Sequence, residues 1–205
     1  MTRFASRRAR LMKLVKQAGA DGLLVSNEKN VTYLTGFTGD SSYLVVTGRE
    51  SRLISDFRFV TQLEEECPDL PTHIRDRSRL LRDATIDVLG SLKLARLAVE
   101  GDSLTVADYT HFSDNLPKLK LGMSRGLVET LRQVKDRDEI EELRQAVREA
   151  EKAFAVLRAT LRPNRTEKEL ADDLEYQLRL QGADGSSFPP IVAAGPRSAL
   201  PHARP

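Results

Sequence analysis

Apolar and polar positions alternate along this chain with two different periods. Near the start, Phe4, Leu11, Leu14, Val15 and Ala18 recur at helical spacing with arginines and lysines between them, and Gly19 follows as a C-terminal cap. That spacing predicts a first helix. Gly22 to Ser26 is a short apolar run that reads as a buried strand, and Asn27 then caps a brief helical turn carrying Val31, Tyr33 and Leu34. Tyr43 to Val46 and Leu53 to Ser55 flank Thr47-Gly48-Arg49-Glu50-Ser51, the signature of a β-hairpin. Asp56-Phe57-Arg58-Phe59-Val60 opens a helix running to about Glu66, and Thr72 to Arg75 reads as a further edge of the sheet. Ser78 is placed to cap a helix carrying Leu81, Ala84, Val88 and Leu89, closed by Gly90. Leu97 to Glu100 is a strand, Thr105 to Asn115 a helix broken at Pro117, and Leu119 to Leu121 alternates weakly. Strands alternating with helices over about the first 120 residues predict an α/β layer arrangement.

Near Asp136 the pattern becomes purely helical. Ile140, Leu143, Val147, Ala150, Phe154, Leu157 and Leu161 step by three and four, which predicts a long amphipathic helix ended by Pro163. Asp136 with Glu139, and Thr166 with Glu169, have the spacing of capping boxes. The second box starts a helix with Leu170, Leu174 and Leu178 that runs to Gly182. Beyond it, Ile191-Val192-Ala193-Ala194 is a short apolar run broken by Gly195-Pro196, a strand entering a turn. A lone strand leaves its backbone groups unpaired. The expectation is therefore that an active-site domain begins in this last stretch and is cut off. The division falls at about residue 135, giving a first domain over 1–135 and the start of a second over 136–205.

Composition narrows the class. Hydrophobic residues make up 40% and charged residues 30%, as in a soluble domain able to bury a core. The 32 basic and 30 acidic residues nearly balance, and there is no tryptophan to stack a base, so nucleic acid is not the expected partner. No apolar run approaches the roughly 20 residues that span a bilayer, so no membrane partner is expected. Arg3, Arg7, Arg8 and Arg10 are not followed by the apolar stretch of a secretory leader. The single Cys67 forbids an internal disulfide and fits a reducing cytoplasm, the expected location. Three acids precede it and should raise its pKa, so it is read as a small apolar residue at a helix end, not as a nucleophile.

Candidate chemistry is sparse. His73, His111 and His202 are far apart, and no HExxH, CxxC or Gly-x-Ser-x-Gly occurs. Gly36-Phe37-Thr38-Gly39-Asp40-Ser41-Ser42 is glycine-rich but lacks phosphate-loop spacing and its lysine, and reads as a tight connection. His73 reads as solvated, and His111 as packed or exposed on a helix. His202 differs: it follows an apolar run and a Gly-Pro turn and lies between Pro201 and Pro205, a rigid setting for an imidazole held still in a pocket.

These runs also resemble a known family, the Xaa-Pro aminopeptidases and prolidases, pita-bread metallopeptidases that include creatinase. Tyr33-Leu34-Thr35-Gly36-Phe37-Thr38-Gly39, Asp56-Phe57-Arg58-Phe59 and Val99-Glu100 look like its N-terminal domain. Leu131-Arg132-Gln133-Val134-Lys135 with Glu139-Ile140 looks like its interdomain junction. Thr166-Glu167-x-Glu169, Ser187-Phe188, Ala193-Ala194-Gly195 and Pro201-His202 look like the opening of its catalytic domain. The fold implied is a creatinase/prolidase N-terminal domain, a mixed sheet flanked by helices, followed by the first helices and strand of an incomplete pita-bread domain. The activity implied is metal-dependent hydrolysis of peptide bonds preceding proline, with a proline-containing peptide as substrate. The cofactor implied for a full-length member is two divalent metal ions of the manganese, cobalt or zinc type. Their five ligands follow the position matching His202, so this chain is expected to bind no metal, to have no catalytic residue of its own and to be inactive alone. His202 is carried over as a substrate-binding residue only. A homo-oligomer is the expected assembly. Two alternatives stand beside this reading: a creatinase-like C–N hydrolase on the same fold, and a stand-alone dimerisation or binding module. The unpaired apolar faces of the last 70 or so residues are expected to cause self-association, or disorder beyond about Gly182.

Overall fold

The computed structural model describes residues 2–205. The chain divides into two units, the first ending at Val134 and the second covering Lys135–Pro205.

The first unit is a six-stranded sheet between two layers of helices. In chain order its elements are α1 (Arg3–Gln17), β1 (Gly22–Val25), α2 (Glu28–Thr35), β2 (Tyr43–Thr47), β3 (Ser51–Asp56), α3 (Val60–Glu66), β4 (Thr72–Arg75), α4 (Leu81–Ser91), β5 (Arg96–Glu100), α5 (Val106–Asn115), β6 (Lys120–Ser124) and α6 (Leu127–Gln133). The strands lie in the order β4-β3-β2-β1-β5-β6. β2 pairs antiparallel with β1 and β3, while the pairs β1–β5, β5–β6 and β3–β4 are parallel. Five strands therefore share one direction and β2 alone opposes them.

The side-chain period of two sorts each strand between the layers. Leu23, Val25, Leu44, Val46, Leu53 and Ala98 face the helices α1, α2, α3 and α6. Leu24, Val45, Ile54, Leu97 and Val99 face α4 and α5. Covering both faces explains why the strands read as continuous apolar runs and not as alternating ones.

Most helix ends follow the sequence signals. Asn27 and Thr105 cap α2 and α5 with their side chains, and Gly19 sits at φ 77° just past α1. Three features differ. Ser78 does not cap α4. Its hydroxyl donates to Asp76, the capping position is Leu80, and Gly90 lies inside the helix. The predicted helix after β3 starts with a 3-10 turn, Phe57–Phe59, because Asp56 accepts the Arg58 N–H two residues on. α6 carried no clear sequence signal: at 7 residues it is too short to show a period, and it is fixed by burying Val128 and Leu131.

The second unit contains α7 (Arg137–Thr160) and α8 (Glu167–Leu180), which pack together and bury Ala153, Leu157 and Ala171. Both capping boxes form. On α7, Ile140, Leu143, Val147 and Phe154 are exposed, and so is Leu161 at its C-cap. The strand expected at Ile191–Ala194 is not part of a sheet. Ala194 is extended, at φ −121° and ψ 154°, but no strand is present among the described residues of this unit to pair with it. An extended run becomes a ladder only with a neighbour. A 3-10 turn, Gly195–Ala199, follows.

Candidate functional site

Because five strands run the same way, their carboxyl ends share one edge of the first unit, where crevices form in open α/β sheets. Ser26, Asp56, Arg75, Glu100 and Ser124 all lie at or just past those ends.

Glu100, the last residue of β5, is buried. One carboxylate oxygen accepts the Ser26 and Asn27 N–H groups at 2.7 Å each, and the other accepts the Asn30 side-chain amide at 2.6 Å. That amide also donates to Glu129 at 2.6 Å, while the Asn30 carbonyl oxygen accepts from Arg132 at 2.8 Å. Asn30 thus spends both its N–H groups and its acceptor, which makes a fully buried asparagine tolerable. Burial pushes the Glu100 carboxyl above its ordinary range; the Asn27, Asn30 and Ser26 bonds oppose the rise and the nearby Glu129 charge adds to it. The network ties β5, α2 and α6 into one corner.

Asp56 closes β3 with its side chain fully buried. It accepts the Arg58 backbone N–H at 2.9 Å, the Arg58 guanidinium at 2.6 to 3.1 Å, and Arg75 at 3.1 Å. The Arg58 bonds lead in holding its carboxyl down at about 2, against the cost of burial. Beside it, Ser42 and Ser55 share a hydroxyl bond at 2.8 Å. A cleft lined by Ser26, Ser42, Tyr43, Arg58 and Arg75 opens here. Burial and Asp108 push the Tyr43 phenol up to about 12, so it stays a neutral donor.

The glycine-rich loop is braced. Gly36 caps α2 at φ 85°, a conformation that favours glycine. Thr38 gives its N–H and its hydroxyl to Glu66, each at 2.7 Å. Burial pushes Glu66 up, but these Thr38 bonds outweigh it and leave the carboxyl below its ordinary value. The Thr38 amide is therefore spent within the protein, which supports the tight-connection reading over a phosphate cradle.

The structure does not bring the histidines together. His73 is half-buried on β4. His111 on α5 lies with its Nε2 2.8 Å from Asp83 of α4, and that bond chiefly lowers the Asp83 pKa. Cys67 is buried at the end of α3; burial first and Glu66 second push its thiol up, so it is no nucleophile.

In the second unit His202 is exposed in a turn. The segment carrying it is held from α8: Glu167 accepts the Ala194 N–H at 2.8 Å and Arg197 Nε at 2.9 Å, and Arg197 donates on to the Arg204 carbonyl at 2.7 Å. Among the described residues no three His, Cys, Asp or Glu side chains gather closely enough to hold a metal ion. The residues present do not fit a two-cation centre. Asn30, Arg75, Glu129 and the role of Glu167 were missed from the sequence. Only Asn30, a polar residue inside the apolar stretch of α2, left a trace there.

Residues 7–134 match the creatinase/prolidase N-terminal domain, and residues 141–205 match metallopeptidase family M24. The first match covers more than half of the chain, so the chain belongs to the creatinase/prolidase N-terminal domain family. It is 36% identical over 193 residues to an uncharacterized peptidase, YqhT, of Bacillus subtilis, covering 94% of this chain and 54% of that protein. The fold superposes on an Xaa-Pro dipeptidase from Bacillus anthracis with a TM-score of 0.91 and 33% identity, covering 97% of this chain and 55% of the other. An X-Pro aminopeptidase from Thermotoga maritima gives 0.85 and 32%, covering 96% and 55%. The chain thus spans about half the length of the relatives it matches.

Proposed function

We propose that this chain is the N-terminal portion of a metal-dependent Xaa-Pro peptidase, which hydrolyses the bond preceding proline in a peptide substrate. The observation that carries the reading is the order of the two family matches along one chain, N-terminal domain first and metallopeptidase family second. The names of the similar Bacillus anthracis and Thermotoga maritima proteins support the substrate class. The domains meet at residue 135, and His202 contacts the substrate. The divalent ions, of the manganese, cobalt or zinc type, are held by ligands outside these 205 residues. The protein works in the cytoplasm as a homo-oligomer, and no helix among its described residues is long and apolar enough to cross a membrane.

The test is an assay of the purified chain on an Xaa-Pro dipeptide and tripeptide with manganese, alongside the same chain continued by the segment that its relatives carry next. Turnover is expected only in the longer protein, and creatine should not be hydrolysed by either. Turnover by the short chain alone, or creatine as the better substrate, refutes the proposal.

A further inference from the structure

We propose that Glu167 is a positioning residue: its carboxylate fixes the segment Ala194–Arg204 and thereby the place of His202. This rests on the reading of His202 as a substrate contact.

Glu167 does not cap its helix. It sits in the first turn of α8, where an acid is often explained by capping or by the helix dipole. The cap is already made. Thr166 accepts the Glu169 N–H at 3.2 Å, and Glu169 accepts the Thr166 N–H at 2.7 Å. Glu167 instead reaches 27 and 30 residues along the chain, to Ala194 and Arg197. Each carboxylate oxygen takes one bond. The two donors are a backbone N–H in the extended run and a guanidinium just past Gly195, which adopts the positive φ of 54° that favours glycine.

The fork of Arg197 carries the restraint onward. Its Nε is used on Glu167 and its Nη2 on the Arg204 carbonyl. A single carboxylate thus holds the segment where it enters, at Ala194, and through Arg197 where it leaves, at Arg204. His202 lies between these anchors. The span is stiffened by a 3-10 turn, a Ser198 hydroxyl bond to the Gly195 carbonyl at 2.7 Å, and Pro196 and Pro201. The imidazole is exposed and turns on its own rotamers, so what Glu167 sets is the position of the His202 backbone from which the ring projects. Ala194 would otherwise need a sheet neighbour for its N–H, and Glu167 supplies the acceptor. The Ala194 bond, with Arg197 second, holds the Glu167 carboxyl below its ordinary value.

The experiment is NMR on the 205-residue chain and its Glu167→Gln variant. Glutamine keeps the size but removes the charge and leaves one acceptor oxygen for two donors, so both anchors weaken. In the parent chain the Ala194 amide shift should follow a titration with its midpoint below the ordinary glutamate range. In E167Q that titration should vanish, exchange of the Ala194 amide should quicken at least tenfold, and the His202 backbone amide should become mobile on the nanosecond timescale. Helicity by circular dichroism should hold, since the cap of α8 is untouched. Arg197→Lys keeps the charge but loses the fork, and should free the His202 backbone while leaving the Ala194 titration in place. A His202 backbone as ordered in E167Q as in the parent, with α8 intact, overturns the proposal. None of these readings uses catalysis. If His202→Ala leaves peptide turnover of the longer protein unchanged, the substrate reading of His202 fails while the restraint stands or falls on the NMR alone.

Discussion

Asp56 shows how much one side chain settles. Its folded pKa of about 2 lies below the roughly 3.9 of an unfolded aspartate. For a depressed carboxyl, the stability gained is present above the unfolded pKa and lost as pH falls through the folded one. Asp56→Asn is expected to cost about 3 kcal/mol at pH 7, because Arg58 first and the largely buried Arg75 second lose their charged partner. The gap between parent and variant should shrink as pH falls from about 4 to about 2, measured by urea unfolding across that range. A gap that stays constant would show that the ion pair does not titrate as described. Gly36 is a second such position. A Cβ there would meet the Phe4 ring at 2.6 Å, on a backbone at φ 85°. Gly36→Ala should therefore cost about 1–2 kcal/mol from the left-handed backbone alone. The clash adds to this, and truncating Phe4 in the same chain should relieve only the added part. Additive effects in the double mutant would rule the clash out.

At the scale of elements, α2 and α6 are held at the carboxyl edge by Asn30. Replacing it by aspartate puts a third carboxylate against Glu100 and Glu129. Asn30→Asp is expected to destabilise most at pH 7 and less as pH falls, because burial raises the Glu100 pKa and its protonation relieves the repulsion, while Arg132 offsets part of it; thermal unfolding across that range checks the sign. Elements that differ from expectation do so for related reasons. α2 was legible because Asn27 and its apolar residues act within one turn. α6 was not, because seven residues show no period and its burial is decided by partners about 100 positions away, as in the Asn30–Arg132 bond. Ser78 has the right chemistry for a cap, but Asp76 takes its hydroxyl first. At Ile191–Ala194 the apolar run encodes extension, whereas pairing depends on a neighbouring strand.

On the scale of the whole molecule, the exposed apolar residues of α7 carry a consequence. Leu143, Val147 and Phe154 are each more than half exposed and spaced along one helix. The chain is expected to self-associate through them, with a weight-average mass above the monomer value in sedimentation at micromolar concentration. Val147→Glu with Phe154→Glu should restore the monomer without loss of helicity. An unchanged mass in that variant would place the association elsewhere.

The sequence by itself determined the local structure: the helical periods, the capping boxes, the hairpin, and strands apolar enough to be covered on both faces. These depend on neighbours a few residues apart, whose chemistry is written in order along the chain. It also carried enough of the family's motifs to reach the resemblance. Only the tertiary structure decided that Glu100, Asn30, Glu129 and Arg132 meet, that Asp56 holds two arginines, and that Glu167 grips a segment about 30 residues on. A hydrogen bond between distant side chains depends on where the backbone returns, and that is set by packing of the whole unit and not by any local pattern.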